Sequence, residues 1–199
     1  LLAPDQQNAV ARGLREGGAA AWTALYDAYC ADVWRYIARL LGSDAASVAD
    51  VVQETFLAAA RSAGRFDPER GTLVGWLFGI AHHQVSLHWR RTGRTNRLLK
   101  AAEAEAEVAQ RRAETADPAG EASDRRELTD QVRSVLAEMQ AVYARLLVAK
   151  YLDDRSLSDL AAENGDSVDA VKSKLARARR EFRAKFERVS REPSPLLPD

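Results

Sequence analysis

The stretch SVDAVKSKLARARREFRAKF, residues 167–186, decides how this chain is read. Val171, Leu175, Ala178, Phe182 and Phe186 recur at steps of four, three, four and four, the spacing of one helix face. Ser167 stands where a side-chain oxygen caps the helix start. With the apolar stripe packed inward, Lys172, Ser173, Ala176, Arg177 and Arg180 fall on the other faces. From Lys172 to Arg191 there are nine basic residues against Glu181 and Glu187, a local excess of seven positive charges. Just upstream, 156–163 reads as a short helix and Asn164-Gly165-Asp166 as a turn. A short helix, a glycine-containing turn and a capped basic helix form a helix-turn-helix, whose second helix enters the major groove. Arginine reaches guanine edges with two bonds, while lysine and the helix N-terminus suit phosphates. A basic, solvated terminal helix is the alternative, but so one-sided an excess favours duplex DNA.

Working outward, Leu128, Val132, Val135, Leu136 and Met139 mark one helix of the same unit. Tyr143, Leu146, Leu147 and Tyr151 mark the next. Upstream, residues 97–126 alternate Ala, Glu and Arg with almost no large apolar residue after Leu99. Asp117-Pro118-Ala119-Gly120 interrupts any helix there. This segment is expected to be an acidic linker. Before it, Trp22, Leu25, Tyr29, Val33, Ile37 and Leu40 stripe a helix that starts near Ala19 and ends at Gly42. A second helix is expected from about Ala45 to Ala63, and a loop from Phe66 to Gly71. Thr72 then caps a third helix carrying Leu73, Trp76, Leu77, Ile80 and Leu87. Gly75 and Gly79 are expected to let a neighbouring helix approach closely. No alternating run proposes a strand. The expected fold is all-α, with two small helical domains, 1–96 and 127–191, joined by the linker 97–126 and followed by a tail, 192–199.

Composition bounds the chemistry. The chain has 199 residues, 46% of them hydrophobic, which makes it globular. Cys30 is the only cysteine and there are three histidines, so neither a disulfide framework nor a zinc cluster is expected, and no cofactor. With no signal peptide and no apolar run near the ~18 residues of a span, no membrane insertion is expected, and a reduced, cytoplasmic setting fits. Met139 is the only methionine, so Leu1 is not expected to be the natural start. Net charge is zero, but it is unevenly spread. Between Gly71 and Ala102 there is no acid, against five Arg or Lys and three His. The acids gather between Glu103 and Asp130. Two basic segments flanking an acidic one suggest two nucleic-acid contacts.

Two further segments carry chemistry. Asp50, Gln53, Glu54 and Leu57 lie at i, i+3, i+4 and i+7, a polar edge opposite an apolar stripe. Such an edge could dock a helical partner; taken alone it reads more readily as a solvated face. Between Phe66 and Arg91, Trp76, Phe78 and Trp89 interleave with histidines and arginines, a mix suited to single-stranded DNA. Trp76 is expected in the core, whereas spacing leaves His83, Arg90 and Arg91 undecided.

Together these segments resemble a bacterial sigma factor of the extracytoplasmic-function group of the sigma-70 family. The stretch from Leu25 to Arg91, with DVVQETFLAAARSAGRFDPERGTLVGWLFGIAHHQVSLHWRR at 50–91, is similar to the family's region two, and SLSDLAAENGDSVDAVKSKLARARREF, residues 156–182, to its region four. The resemblance implies that Asp50, Gln53, Glu54 and Leu57 grip the coiled coil of the largest subunit of core RNA polymerase. It implies that Phe66, Asp67, Arg70, Thr72, His83, Arg90 and Arg91 meet the minus-ten promoter element and hold an extruded base. Lys150, Ser167, Lys172, Ser173, Ala176, Arg177 and Arg179 would contact the minus-thirty-five element. The flap of the second-largest polymerase subunit is the other implied contact, and the acidic linker would thread the polymerase cleft as an RNA mimic. Family members are usually held inactive by an anti-sigma factor, a possible further partner. His83 stands where the family often has Asn, and Gly79 where it usually has a long basic residue.

The rival reading is a stand-alone helix-turn-helix regulator of transcription that uses the C-terminal unit alone. Asp50-x-x-Gln-Glu separates the two, because such a regulator has no use for it. No nucleophile, base and orienting group converge in the sequence, so the chain is not expected to be an enzyme.

Overall fold

In the computed structural model, residue 2 and residues 4–42, 44–110 and 120–191 are described, of which 4, 94–110 and 120–124 by backbone alone. The Asp117-Pro118-Ala119 part of the expected linker and the tail 192–199 lie outside the described residues. Helix α1 (Pro4–Arg15) precedes the first helix expected from the sequence. Pro4 suits a first helical position, Asp5 faces the positive end of the helix dipole, and Arg12 and Arg15 the negative end. Its short apolar patch, Val10, Ala11 and Leu14, is buried.

Helix α2 (Ala19–Leu41) buries Leu25, Tyr29, Val33, Tyr36, Ile37 and Leu40. It ends at Gly42, whose φ of 93° suits a residue without Cβ. Helix α3 (Ala45–Ser62) is capped by Asp44, whose carboxylate accepts from the Ser47 hydroxyl at 2.6 Å and the Ala46 amide at 3.2 Å. The Ser47 bond holds the Asp44 carboxyl below its usual range. A 3-10 turn at Ala63–Arg65 leads into the loop before helix α4 (Leu73–Gln110), which Thr72 caps through the Gly75 amide at 3.0 Å. Helix α4 passes unbroken through residue 96 into the acidic segment.

The C-terminal half holds α5 (Gly120–Glu138), α6 (Ala141–Tyr151), α7 (Leu157–Asn164) and α8 (Val168–Arg191). Ser156 caps α7, and Ser167 caps α8 by accepting from the Ala170 amide at 3.1 Å. Gly165 sits at φ 66° in the turn between them, and the Asp166 amide bonds back to the Ala161 carbonyl at 2.9 Å. Every helix and strand element among the described residues is a helix, as the residue pattern requires.

The two halves share one apolar core. Leu136, Ala137 and Met139 pack into the same cluster as Phe78, Ala81 and Val85. Polar bonds cross the junction too. The Ser86 hydroxyl donates to the Ala137 carbonyl at 2.5 Å, and Arg39 donates to the Leu152 carbonyl at 2.9 Å and to Asp153 at 3.1 Å. The Arg145 guanidinium lies 4.6 Å from the centre of the Phe78 ring and bonds Glu163 and Asn164. Burial lowers the proton affinity of that guanidinium and Glu163 opposes the effect.

Gly75 and Gly79 do not serve helix packing. A Cβ added at Gly79 would meet nothing within 4 Å, and one at Gly75 would meet only the Thr72 hydroxyl at 3.1 Å. Both line an open trough instead of a helix contact.

Candidate nucleic-acid interface

Three surfaces carry the residues singled out above. On α3, Asp50, Gln53, Glu54 and Leu57 are all exposed, with Leu57 showing 43% of its surface. The opposite face of α3 is buried through Val48, Val51, Val52, Thr55 and Ala59, so the edge is held rigidly. Among the described residues Glu54 makes only a long contact with Arg61, 3.6 Å between two exposed groups, which leaves its carboxylate accessible. Next to this edge Phe56 and Tyr26 pair at 5.0 Å between ring centres, and Tyr26 is half exposed. Residue spacing had not marked Tyr26; its position off the apolar stripe of α2 was the available signal.

The second surface is the loop from Phe66 to Thr72 with the adjoining face of α4. Phe66 is only 6% exposed and its ring lies 5.2 Å from that of Trp76. It anchors the loop and offers no free face for DNA. Asp67 shapes the turn, its carboxylate accepting from the Glu69 amide at 3.0 Å and its carbonyl from the Arg70 amide at 3.1 Å. Asp67 and Arg70 are exposed, Thr72 half-buried at the helix cap. His83, Arg90 and Arg91 are exposed along α4. Between α3 and α4 lies a trough lined by Ser62, Trp76, Gly79, Ile80, His83 and Gln84. An aromatic floor, a glycine gap and two rim groups able to hydrogen-bond could take a flat heterocycle. His82, beside His83, turns the other way and is buried.

The third surface is the start of α8. Lys172, Ser173, Arg177 and Arg179 are exposed, and Ala176 is half-buried. Ser167 is exposed at the cap. Lys172 is paired with Asp169 at 3.0 Å, an exposed i,i+3 contact that water weakens. Arg179 donates to the Tyr151 hydroxyl at 3.0 Å. Tyr151 falls on the apolar spacing of α6, yet it is 53% exposed and joins this surface. Lys150 directs its ammonium to the Arg155 carbonyl at 3.2 Å, which aims it at the loop after α6. Lys174 is held by both oxygens of Asp166 at 2.8 and 2.6 Å. Asp166 and Asp169 therefore offset part of the positive excess counted from Lys172 onward. Lys172, Arg177 and Arg179 still leave a cationic, hydrogen-bonding strip on the outward face of the second helix.

Among the described residues no group of three or more His, Cys, Asp or Glu is placed to hold a metal ion, and no helix is long and apolar enough to cross a membrane.

Comparison with known proteins identifies the family. Residues 25–95 match the family model for sigma-70 region 2. The ECF RNA polymerase sigma factor SigL of Mycobacterium tuberculosis is 32% identical over 171 residues, covering 86% of this chain and 92% of that one. SigC of the same species, also an ECF RNA polymerase sigma factor, is 32% identical over 171 residues, covering 86% of each chain. Among solved structures, CnrH in complex with the cytosolic domain of CnrY is similar at 23% identity, with a TM-score of 0.44, covering 92% of this chain and 98% of that one. The chain belongs to the extracytoplasmic-function sigma factors of the sigma-70 family.

Proposed function

We propose that this sigma factor binds core RNA polymerase through the α3 edge and places two promoter elements with two separate grips. The observation that carries the reading is the exposure of Asp50, Gln53 and Glu54 on a helix whose other face is locked in the core. Carboxylates and an amide at that spacing suit a basic, helical partner such as the coiled coil of the largest polymerase subunit. Residues 1–96 would carry this contact and the minus-ten grip, and residues 127–191 the minus-thirty-five grip and the polymerase flap.

In the minus-ten grip, Asp67, Arg70 and His83 meet the DNA, with Arg90 and Arg91 on its phosphates. Phe66 and Thr72 hold the loop in shape. Extruding a base costs a few kcal/mol, which a trough offering stacking and edge contacts offsets. In the upstream grip, Lys172, Ser173, Arg177 and Arg179 face the major groove, with Lys150 beside them and Ser167 at the helix start. The polymerase performs the catalysis, and the work takes place in the cytoplasm. An anti-sigma factor would act by covering these exposed faces.

A stand-alone regulator needs only α5 to α8 and leaves the match over residues 25–95 without a purpose. The deciding experiment replaces Gln53 and Glu54 by Ala. Affinity for core polymerase should fall at least about tenfold, a loss of ~1.4 kcal/mol, while binding to duplex DNA carrying the upstream element is unchanged. Unaltered polymerase binding would remove the α3 edge from the mechanism. Failure to start transcription with core enzyme on any template of a genomic library would overturn the whole reading.

A further inference from the structure

We infer that Tyr151 and Arg179 together form a site for one backbone phosphate of duplex DNA, with Tyr151 a contact outside the expected minus-thirty-five set; this rests on the two-grip reading above. The two residues come from different helices. Tyr151 stands in the last turn of α6, which buried Ala144, Leu147 and Val148 fix in the core, and Arg179 stands within α8. One N–H of the Arg179 guanidinium donates to the Tyr151 hydroxyl at 3.0 Å, and both residues are exposed.

The nature of the partner decides the role. Lys172 is paired with Asp169, Lys174 with Asp166 and Arg155 with Glu163, so each of those cations is held and neutralised together. Arg179 is held by a neutral phenol, and among the described residues no acid pairs with it. Its direction is therefore fixed while its charge is kept. The other guanidinium N–H groups remain available, and the phenol, which accepts from Arg179, still has its own proton to donate. No acceptor among the described residues takes that proton. Charged and neutral donors converging from two helices fit an anion with several acceptor oxygens, which a phosphate supplies.

Helix geometry selects a phosphate over a base edge. Lys172, Ala176 and Arg179, spaced i, i+4 and i+7, share the edge of α8 that borders Tyr151. Ser173 and Arg177 lie further round, away from buried Val171, Leu175 and Ala178. A helix about 10–12 Å across fills a major groove about 12 Å wide, so its edges meet the phosphate walls. Arg179 also lies about 16 Å along α8 from Val168, past the N-terminal part with which recognition helices reach bases. A free arginine would give up rotamer freedom on reaching DNA, and the bond to Tyr151 settles much of that beforehand.

The test uses the full chain and a duplex that it enriches from a randomised pool. Fluorescence anisotropy compares the unaltered chain with Tyr151→Phe, Arg179→Ala, the double variant and Arg177→Ala. Tyr151→Phe keeps the ring and loses only the hydroxyl, so its urea midpoint should not move. It should weaken binding about threefold to tenfold, equally on single-base variants of the duplex, but less than about twofold once Arg179 is Ala. Replacing each phosphate in turn by a neutral methylphosphonate should reveal one position that weakens the unaltered chain about tenfold and the double variant less than about twofold. Equal binding by Tyr151→Phe and the unaltered chain, alongside a loss in Arg177→Ala, overturns this site and leaves the upstream grip standing. A Tyr151→Phe loss that persists undiminished without Arg179, or a scan with no such position, also overturns it. An unaltered chain that enriches no duplex removes the upstream grip and this site with it.

Discussion

His82 Nε2 lies 2.8 Å from the carbonyl oxygen of Met139, which belongs to the opposite half of the chain. A carbonyl only accepts, so Nε2 carries the proton and donates it. That leaves Nδ1 to accept from the Tyr36 hydroxyl at 2.8 Å, and the ring is satisfied while neutral. Burial also pushes the Tyr36 phenol up, which keeps it protonated as the donor. His83, the next residue, faces solvent beside the trough. The two adjacent rings thus face opposite ways, His82 into the junction between the halves and His83 to the surface.

Stability should depend on pH through His82. Burial holds its imidazole below the ordinary value; the Met139 carbonyl opposes this, His83 adds to it, and Glu181 opposes it more weakly. The unfolded chain therefore binds the proton more readily than the folded one as pH falls below the ordinary histidine value of about 6.5. The contribution is fully present above that pH and declines as pH drops toward the folded-state value. Urea midpoints measured between pH 8 and 5.5 should be level at first and then fall. His82→Gln keeps a donor for Met139 but does not titrate, so its midpoints should fall less over the same range. Parallel curves would mean that other groups carry the pH dependence.

Two glycines should respond to alanine in opposite directions. Gly165 holds φ 66° in the turn before α8, a conformation that costs an L residue about 1–2 kcal/mol. No atom crowds the site, so Gly165→Ala measures backbone strain alone. Gly79 lies inside α4 with open space around it, and Gly79→Ala should stabilise the protein by about 0.5–1 kcal/mol. If the trough receives a base, the added methyl group should slow promoter opening despite the gain in stability. Chemical denaturation and permanganate footprinting read the two effects separately. A destabilised Gly79→Ala protein would contradict the open trough.

What the sequence revealed depended on whether a property was local. The stripe from Val171 to Phe186 spans about four turns, and its polar remainder follows from helix geometry alone. The stripe of α1 has only Val10, Ala11 and Leu14, too short to stand out, although Pro4 and the charge pattern of its ends were signals. Tyr151 fits the apolar spacing of α6, but it lies in the last turn, where it stays half exposed and its hydroxyl accepts from Arg179 of α8. Phe66 looked available to DNA because nothing in the loop sequence shows that Trp76 folds against it. The bonds from α4 to the end of α5 were invisible for a deeper reason: their acceptors are the carbonyls of Ala137 and Met139, and every residue possesses one.

Ser167 links stability to recognition. Its hydroxyl accepts from the Ala170 amide at 3.1 Å and so satisfies one of the free donors at the start of α8. Ser167→Ala should cost about 1 kcal/mol in urea unfolding. Ser167→Asp should recover it, since an acid is favourable at that helix end. On DNA the two must diverge, because Asp would oppose a phosphate placed at the same terminus. Equal DNA affinity for the two variants would show that no phosphate sits there.

The paired and unpaired cations of α8 should behave differently on DNA. Arg177 is exposed and has no side-chain partner among the described residues. Lys174 is held by Asp166 through both carboxylate oxygens. A cation already neutralised within the protein releases few counterions from DNA, so it adds little to affinity or salt dependence. Arg177→Ala should therefore weaken binding to the upstream duplex by about 1–3 kcal/mol, with relaxed preference at one base pair if it reads a base edge. Were it a phosphate contact, all sequences would weaken alike and the salt slope would fall by about one. Replacing Lys174 and Asp166 together by Ala, which unmasks no carboxylate, should leave both affinity and slope nearly unchanged. Fluorescence anisotropy across a salt series separates these outcomes. Equal losses from Arg177→Ala and from this double replacement would mean that the Lys174–Asp166 pair opens on DNA, and that the free cations of α8 are not the ones assigned here.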